Sequence, residues 1–112
     1  MPGAELKGKV AWITGGGSGI GLAGALEMAK AGAHVVISGR SAETLQKAEK
    51  DLRAAGSGEA IALDVADQKA VARTSAEIEQ RRGHIDILVN SAGINLPKRS
   101  FHNVSVEGWD QV

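Results

Sequence analysis

The chain has 112 residues, room for one domain and not two, since domains run to ~100 to 200 residues. Its 43% hydrophobic and 23% charged residues are the mixture of a folded globular chain, and its formal net charge of zero leaves no whole-chain field to gather nucleic acid or an anionic membrane. The absence of Cys excludes disulfides, thiolate zinc sites and a cysteine nucleophile, the absence of Tyr excludes phenolic acid–base chemistry from these residues, and 15 Gly is a marked excess over the ~7% of average usage.

Met1 to Lys9 carries charges without the apolar centre of a signal peptide, and no apolar run nears the ~18 residues of a membrane span. No membrane partner and a cytoplasmic setting are the expectations. Val10 to Thr14 is a short apolar run stopped by glycines, as suits a strand buried on both faces. Leu22, Ala25, Leu26 and Ala29 then recur at helical spacing, with Gly32 placed to close the helix. Val35 to Ser38 reads as the second strand. Ser41 caps a second helix with the stripe Leu45, Ala48, Leu52 and Ala55, closed by Gly56. Glu43 with Lys47, and Glu49 with Arg53, add i,i+4 pairs on its wet face.

The pattern then repeats. Ala60 to Leu63 is a third strand, and Asp67 caps a helix with Val71, Thr74, Ser75 and Ile78 inward, its end marked by Arg81, Arg82 and Gly83. Ile85 to Val89 is a fourth strand, interrupted by Asp86. Ser91 to Asn103 lacks periodicity, and Ser105 can cap a last helix bearing Val106, Trp109 and Val112. Strands alternating with helices predict an α/β fold, a Rossmann-like doubly wound parallel sheet present as its first half, with strand order 3-2-1-4.

Residues 14 to 21 read Thr-Gly-Gly-Gly-Ser-Gly-Ile-Gly, with five glycines between positions 15 and 21. They stand between the first strand and the first helix. A helix N-terminus has unpaired backbone N–H groups and partial positive charge, so it takes a phosphate where no side chain blocks the approach. Gly15 makes the sharp turn, Gly19 lets the backbone reach a pyrophosphate, Gly21 lets the helix lie close to the sheet, and Ser18 can donate its hydroxyl. The G-x-G-x-x-G register of Gly19, Gly21 and Gly24 is rejected, because that fingerprint begins directly after the strand and Gly24 falls inside the helix. The bland alternative is a ligand-free glycine turn.

These residues resemble the short-chain dehydrogenase/reductases. Residues 14 to 21 fit that family's Thr-Gly-x-x-x-Gly-x-Gly motif in full. Asn90-Ser91-Ala92-Gly93 is similar to its Asn-Asn-Ala-Gly motif with Ser in place of the second Asn. Asp64 matches its adenine-contacting Asp, and Trp109 stands where the family often has Trp. The resemblance covers essentially the whole chain and implies cofactor contacts at Gly15, Gly17, Ser18, Gly19, Ile20, Gly21, Arg40, Asp64, Val65 and Asn90. In dinucleotide folds an acidic residue about 20 positions past the glycines bonds the ribose 2′-hydroxyl, while an Arg accommodates a 2′-phosphate. Here Gly39 and Arg40 occupy that place, which favours NADP over NAD. The basic residue that NADP-using members often carry within the glycine motif is Ser18 in this chain.

Asp64 can accept from the adenine amino group with the Val65 N–H beside it, or be a solvated strand-end Asp. Asn90 can bond the cofactor ribose or tie adjacent strands. His34, His84 and His102 lack metal-ligand spacing and read as surface or strand-end residues, so no metal is expected. Lys98 and Arg99 make too small a basic patch for nucleic acid.

The resemblance implies hydride transfer between a nicotinamide and a small alcohol or ketone, and homo-oligomers at full length. The family's chemistry uses a Tyr-x-x-x-Lys helix, an upstream Ser and a later Asn; no catalytic residue is assigned here. A sheet stopping at the fourth strand would leave an apolar edge, so the expectation is an N-terminal fragment, residues 1–112 being a partial NAD(P)-binding domain without turnover of its own. The competing reading is a non-catalytic nucleotide-binding or interaction module.

Overall fold

The computed structural model describes residues 5–15 and 19–90 and the backbone of 104–105. Among them the elements run β1 (Val10–Thr14), α1 (Gly19–Lys30), β2 (His34–Gly39), α2 (Ala42–Ala55), β3 (Ser57–Ala62), α3 (Gln68–Arg82), β4 (Ile87–Asn90) and β5 (Val104–Ser105). The strands form one sheet in the order β3-β2-β1-β4-β5, every neighbouring pair parallel. The expected order of the first four strands is therefore observed, and the chain has the Rossmann-like α/β fold.

β1 lies between its partners with all five residues buried. Side chains alternate across a strand, and β1 feeds two cores accordingly. Ala11 and Ile13 join Ala25, Ala29, Leu45, Ala48 and Leu52 from α1 and α2. Val10 and Trp12 join Leu63, Val71 and Ile78 on the α3 side. Continuous apolarity in this strand thus follows from helices covering both faces.

The helix ends follow the capping chemistry. Ser41 accepts from the Thr44 amide at 3.2 Å and Asp67 from the Ala70 amide at 3.1 Å. Gly32 (φ 103°) and Gly83 (φ 92°) occupy left-handed backbone that favours glycine. Gly56 is required for a different reason. Its backbone is extended, but a Cβ there would stand 2.4 Å from the Ala29 carbonyl oxygen, so only glycine lets the end of α2 approach the end of α1.

Several expectations need correction. β3 begins at Ser57, not Ala60, and ends at Ala62, not Leu63, because each residue of β2 from His34 to Gly39 finds a parallel partner along it. β2 likewise extends one residue beyond each expected end. β4 begins at Ile87, not Ile85. The Asp86 carboxylate takes the Val10 amide at 2.8 Å, and ladder pairing with β1 starts at Ala11 and Ile87, then runs on to Asn90. Nor is β4 an edge strand, because Val104 and Ser105 pair with Ile87 and Leu88. Ser105 thus belongs to a strand, and the helix expected after it lies outside the described residues. Glu49 and Arg53 do pair, at 3.5 Å. Glu43 and Lys47 form no ion pair among the described residues; both are exposed, where such a pair gains too little to fix two long side chains.

Candidate nucleotide site at the carboxyl ends of the strands

The carboxyl ends of β1, β2, β3 and β4 converge with the start of α1 at one end of the sheet. In open α/β sheets ligands bind at this end, where the strand order reverses. Here the reversal falls at β1, with β2 on one side and β4 on the other.

The glycine turn has the backbone its sequence requires. Gly15 (φ 74°) and Gly19 (φ 61°) both adopt left-handed conformations. A Cβ on Gly19 would meet nothing within 4 Å among the described residues. Gly21 is buried, as close packing of the helix demands, and Gly24 lies buried inside α1, away from the turn. The first turn of α1 contains no acidic residue, so nothing there opposes an anion. Ile20, also in that turn, is 54% exposed, a large apolar side chain held in the open beside it. Gly17 and Ser18 lie outside the described residues.

The remaining candidates surround this turn. Arg40 is exposed immediately beyond β2, and no described residue takes it as an ion-pair partner. Asp64 is exposed at the exit of β3. One of its carboxylate oxygens accepts from the Ala66 amide at 3.0 Å, which holds the following turn. Val65 is half-buried against the α3-side core. The Thr14 hydroxyl donates to the Asn90 Oδ1 at 3.1 Å, and both residues are buried. The strand tie is therefore formed, with Thr14 as the partner that sequence reasoning had not named.

The opposite end of the sheet holds a network of paired side chains. The His34 ring nitrogens approach Ser57 Oγ at 2.6 Å and Glu59 Oε2 at 2.8 Å. Glu59, its side chain 17% exposed, also takes Arg81 at 3.0 Å and Arg82 at 3.8 Å. Burial raises the Glu59 pKa, but hydrogen bonds from His34 and Arg81 outweigh it and hold the carboxyl below its ordinary value. His84 lies 2.8 Å from the Asp86 carboxylate that receives Val10. A cavity of about 230 Å³ opens among these groups, lined by Gly8, Lys9, Val10, Gly32, His34, Ser57, Arg82 and His84. No group of His, Cys, Asp and Glu among the described residues is arranged to hold a metal. His102, Lys98, Arg99 and Trp109 lie outside the described residues.

A model of the family described as short chain dehydrogenase matches residues 9–112. The chain belongs to this family. Among curated relatives, the 2,3-dihydro-2,3-dihydroxybenzoate dehydrogenase of Bacillus subtilis (strain 168) is 42% identical over 106 residues, which are 94% of this chain and 40% of the relative. An NAD+-bound xylitol dehydrogenase structure superposes with a TM-score of 0.73 at 34% identity, covering 76% of this chain and 33% of that one. A metagenomic short-chain oxidoreductase in complex with NADP superposes with a TM-score of 0.74 at 36% identity, covering 77% of this chain and 39% of that one. The chain thus spans about two fifths of the length of the curated relative. Both nicotinamide cofactors occur among its structural neighbours. No helix among the described residues is long and apolar enough to cross a membrane.

Proposed function

We propose that residues 1–112 are the cofactor-binding part of an NADP(H)-dependent alcohol or carbonyl oxidoreductase. The observation that carries this reading is the pairing of a helix start free of acidic residues with an exposed Arg40. A dinucleotide laid across the sheet end would place its pyrophosphate over Gly15 to Gly21, with Ile20 covering an apolar face. Its adenosine would lie toward Arg40, Asp64 and Val65, and its ribose toward Asn90. Gly39 presents no carboxylate to repel a 2′-phosphate, and the planar Arg40 guanidinium suits one. A nicotinamide held there supplies or accepts the hydride.

These residues bind and orient; they contain no Tyr to move a proton at the substrate oxygen. The proposal includes absence of turnover by the 112-residue chain itself, testable as NADPH consumption with alcohols and ketones. A small alcohol or ketone substrate, a homo-oligomeric full-length enzyme and a cytoplasmic setting belong to the same proposal, supported by the family. The dehydrogenase and oxidoreductase names of the relatives favour it over a non-catalytic module.

Calorimetric titration with NADP+ and NAD+ tests the cofactor preference. Arg40→Asp should lower NADP+ affinity relative to NAD+ by roughly tenfold or more, the scale of a charge-assisted hydrogen bond. Unchanged relative affinities would sink the Arg40 assignment.

A further inference from the structure

The buried end of β2 joins the segments named above, and the inference drawn from it rests on the cofactor reading. Ser38 is fully buried. Its carbonyl accepts from the Gly15 amide at 2.7 Å, which anchors the glycine turn. Its hydroxyl oxygen accepts from the Trp12 indole Nε1–H at 2.9 Å; an indole nitrogen only donates, so the direction of this bond is fixed. One residue on, the Gly39 carbonyl accepts from the Leu63 amide at 2.8 Å and ties down the chain that leads into Asp64. Arg40 follows directly. Ser38 and Gly39 therefore connect the turn, the 2′-phosphate candidate and the adenine candidate.

Trp12 is the largest of the fully buried side chains described. Filling the space between β1 and α3 needs volume alone, which an aromatic hydrocarbon would also provide. The indole adds a donor, and that donor is aimed at the side chain next to the point where β2 leaves the sheet. Both partners are withdrawn from water, so losing the indole donor removes a buried bond to the Ser38 hydroxyl and frees the Ser38 side chain to turn.

We infer that Trp12 is a positioning residue for the cofactor: its indole N–H holds Ser38, and thereby fixes where Gly39 and Arg40 leave the sheet to meet a ribose 2′-phosphate. The bonds that tie Ser38 to the glycine turn and Gly39 to Leu63 are backbone bonds that loss of the side-chain contact leaves in place, so the effect is felt through Arg40, on the discrimination between NADP and NAD and not on dinucleotide binding in general.

Titrating the 112-residue chain with NADP+ and NAD+ tests this, using Trp12→Phe, which keeps a ring and loses the donor, and Ser38→Ala, which removes the accepting hydroxyl. Both variants should bind NADP+ roughly three- to tenfold more weakly, as expected for one misplaced hydrogen-bonding group, with NAD+ affinity changed by less than about twofold. The double variant should lose no more than either single one, and the loss should vanish in an Arg40→Gln background. A purely structural role would weaken both dinucleotides together or neither. Circular dichroism melts verify folding, and if Trp12→Phe does not fold, Ser38→Ala carries the test by itself. An unchanged NADP+ to NAD+ ratio in the folded variants, with the wild type discriminating, overturns the inference alone. A wild type that binds neither dinucleotide, or both equally, overturns the NADP reading and the inference with it.

Discussion

The two ends of the sheet are built from opposite materials. At the carboxyl ends of the strands the site is mostly backbone, with left-handed glycines, an exposed Ile20 and an Arg40 without an ion-pair partner among the described residues. At the amino ends, side chains close on one another: His34, Arg81 and Arg82 on Glu59, and His84 on Asp86. A stable sheet needs only one such end. Where charge is already neutralised within the chain, little is left to recruit a ligand; where a cation has no ion-pair partner among the described residues, a ligand can supply one. Substitutions at the amino end should therefore alter stability and spare dinucleotide affinity, and substitutions at the carboxyl end should lower dinucleotide affinity.

The largest effect is expected at Gly56, where a Cβ would collide with the Ala29 carbonyl oxygen at 2.4 Å. Gly56→Ala should lower unfolding free energy by about 3 kcal/mol, the upper range for overpacking, as read by urea denaturation. Next comes Glu59→Gln, which weakens the bonds from His34 and Arg81 and should lose about 2 kcal/mol near neutral pH. Because the folded-state pKa of Glu59 lies below the ordinary value of 4.5, its stabilisation is fully present above that value and is lost as pH falls through the lower one. The stability difference between wild type and Glu59→Gln should thus narrow as pH falls through the lowered Glu59 value. NADP+ affinity should be unchanged in this variant when measured near neutral pH.

Gly19→Ala tests the other end. A Cβ there would meet none of the described residues within 4 Å, and placing alanine in left-handed backbone costs about 1 kcal/mol. The same Cβ intrudes where a pyrophosphate would lie, so dinucleotide affinity should fall roughly tenfold, equivalent to about 1.4 kcal/mol. Retained affinity in calorimetry would remove the distinction between the ends.

How much of this was legible in the sequence depended on whether the deciding interaction was local. The caps at Ser41 and Asp67 and the apolar stripes of α2 and α3 could be read because their partners lie within one or two turns. The glycine turn was legible because backbone freedom is a property of the residue type. β3 starts three residues before its legible pattern because Ser57, Gly58 and Glu59 carry no strand signal of their own; they are held as a strand by their pairing with β2. The short β5 was hidden similarly, being defined by its partner β4. At the candidate site, Arg40 was found by counting from the glycines. The Trp12 to Ser38 bond was not, since it joins residues 26 positions apart and nothing in either segment announces the other.

The Asp86 clasp on Val10 bears on how the chain assembles. The Asp86 carboxylate receives the Val10 amide, the Asp86 amide returns a bond to the Val10 carbonyl at 2.8 Å, and the two residues are 76 positions apart. The strand made first in the sequence is thus completed on one side only after three helices and two further strands have been laid down. Closing so long a loop is rewarded late, whereas β1, β2 and β3 gain their contacts over shorter separations. The central strand of the described sheet is thus held on one side by pairings of short sequence separation and on the other by pairings 76 positions apart, and the side that Asp86 clasps carries the larger loop-closure cost.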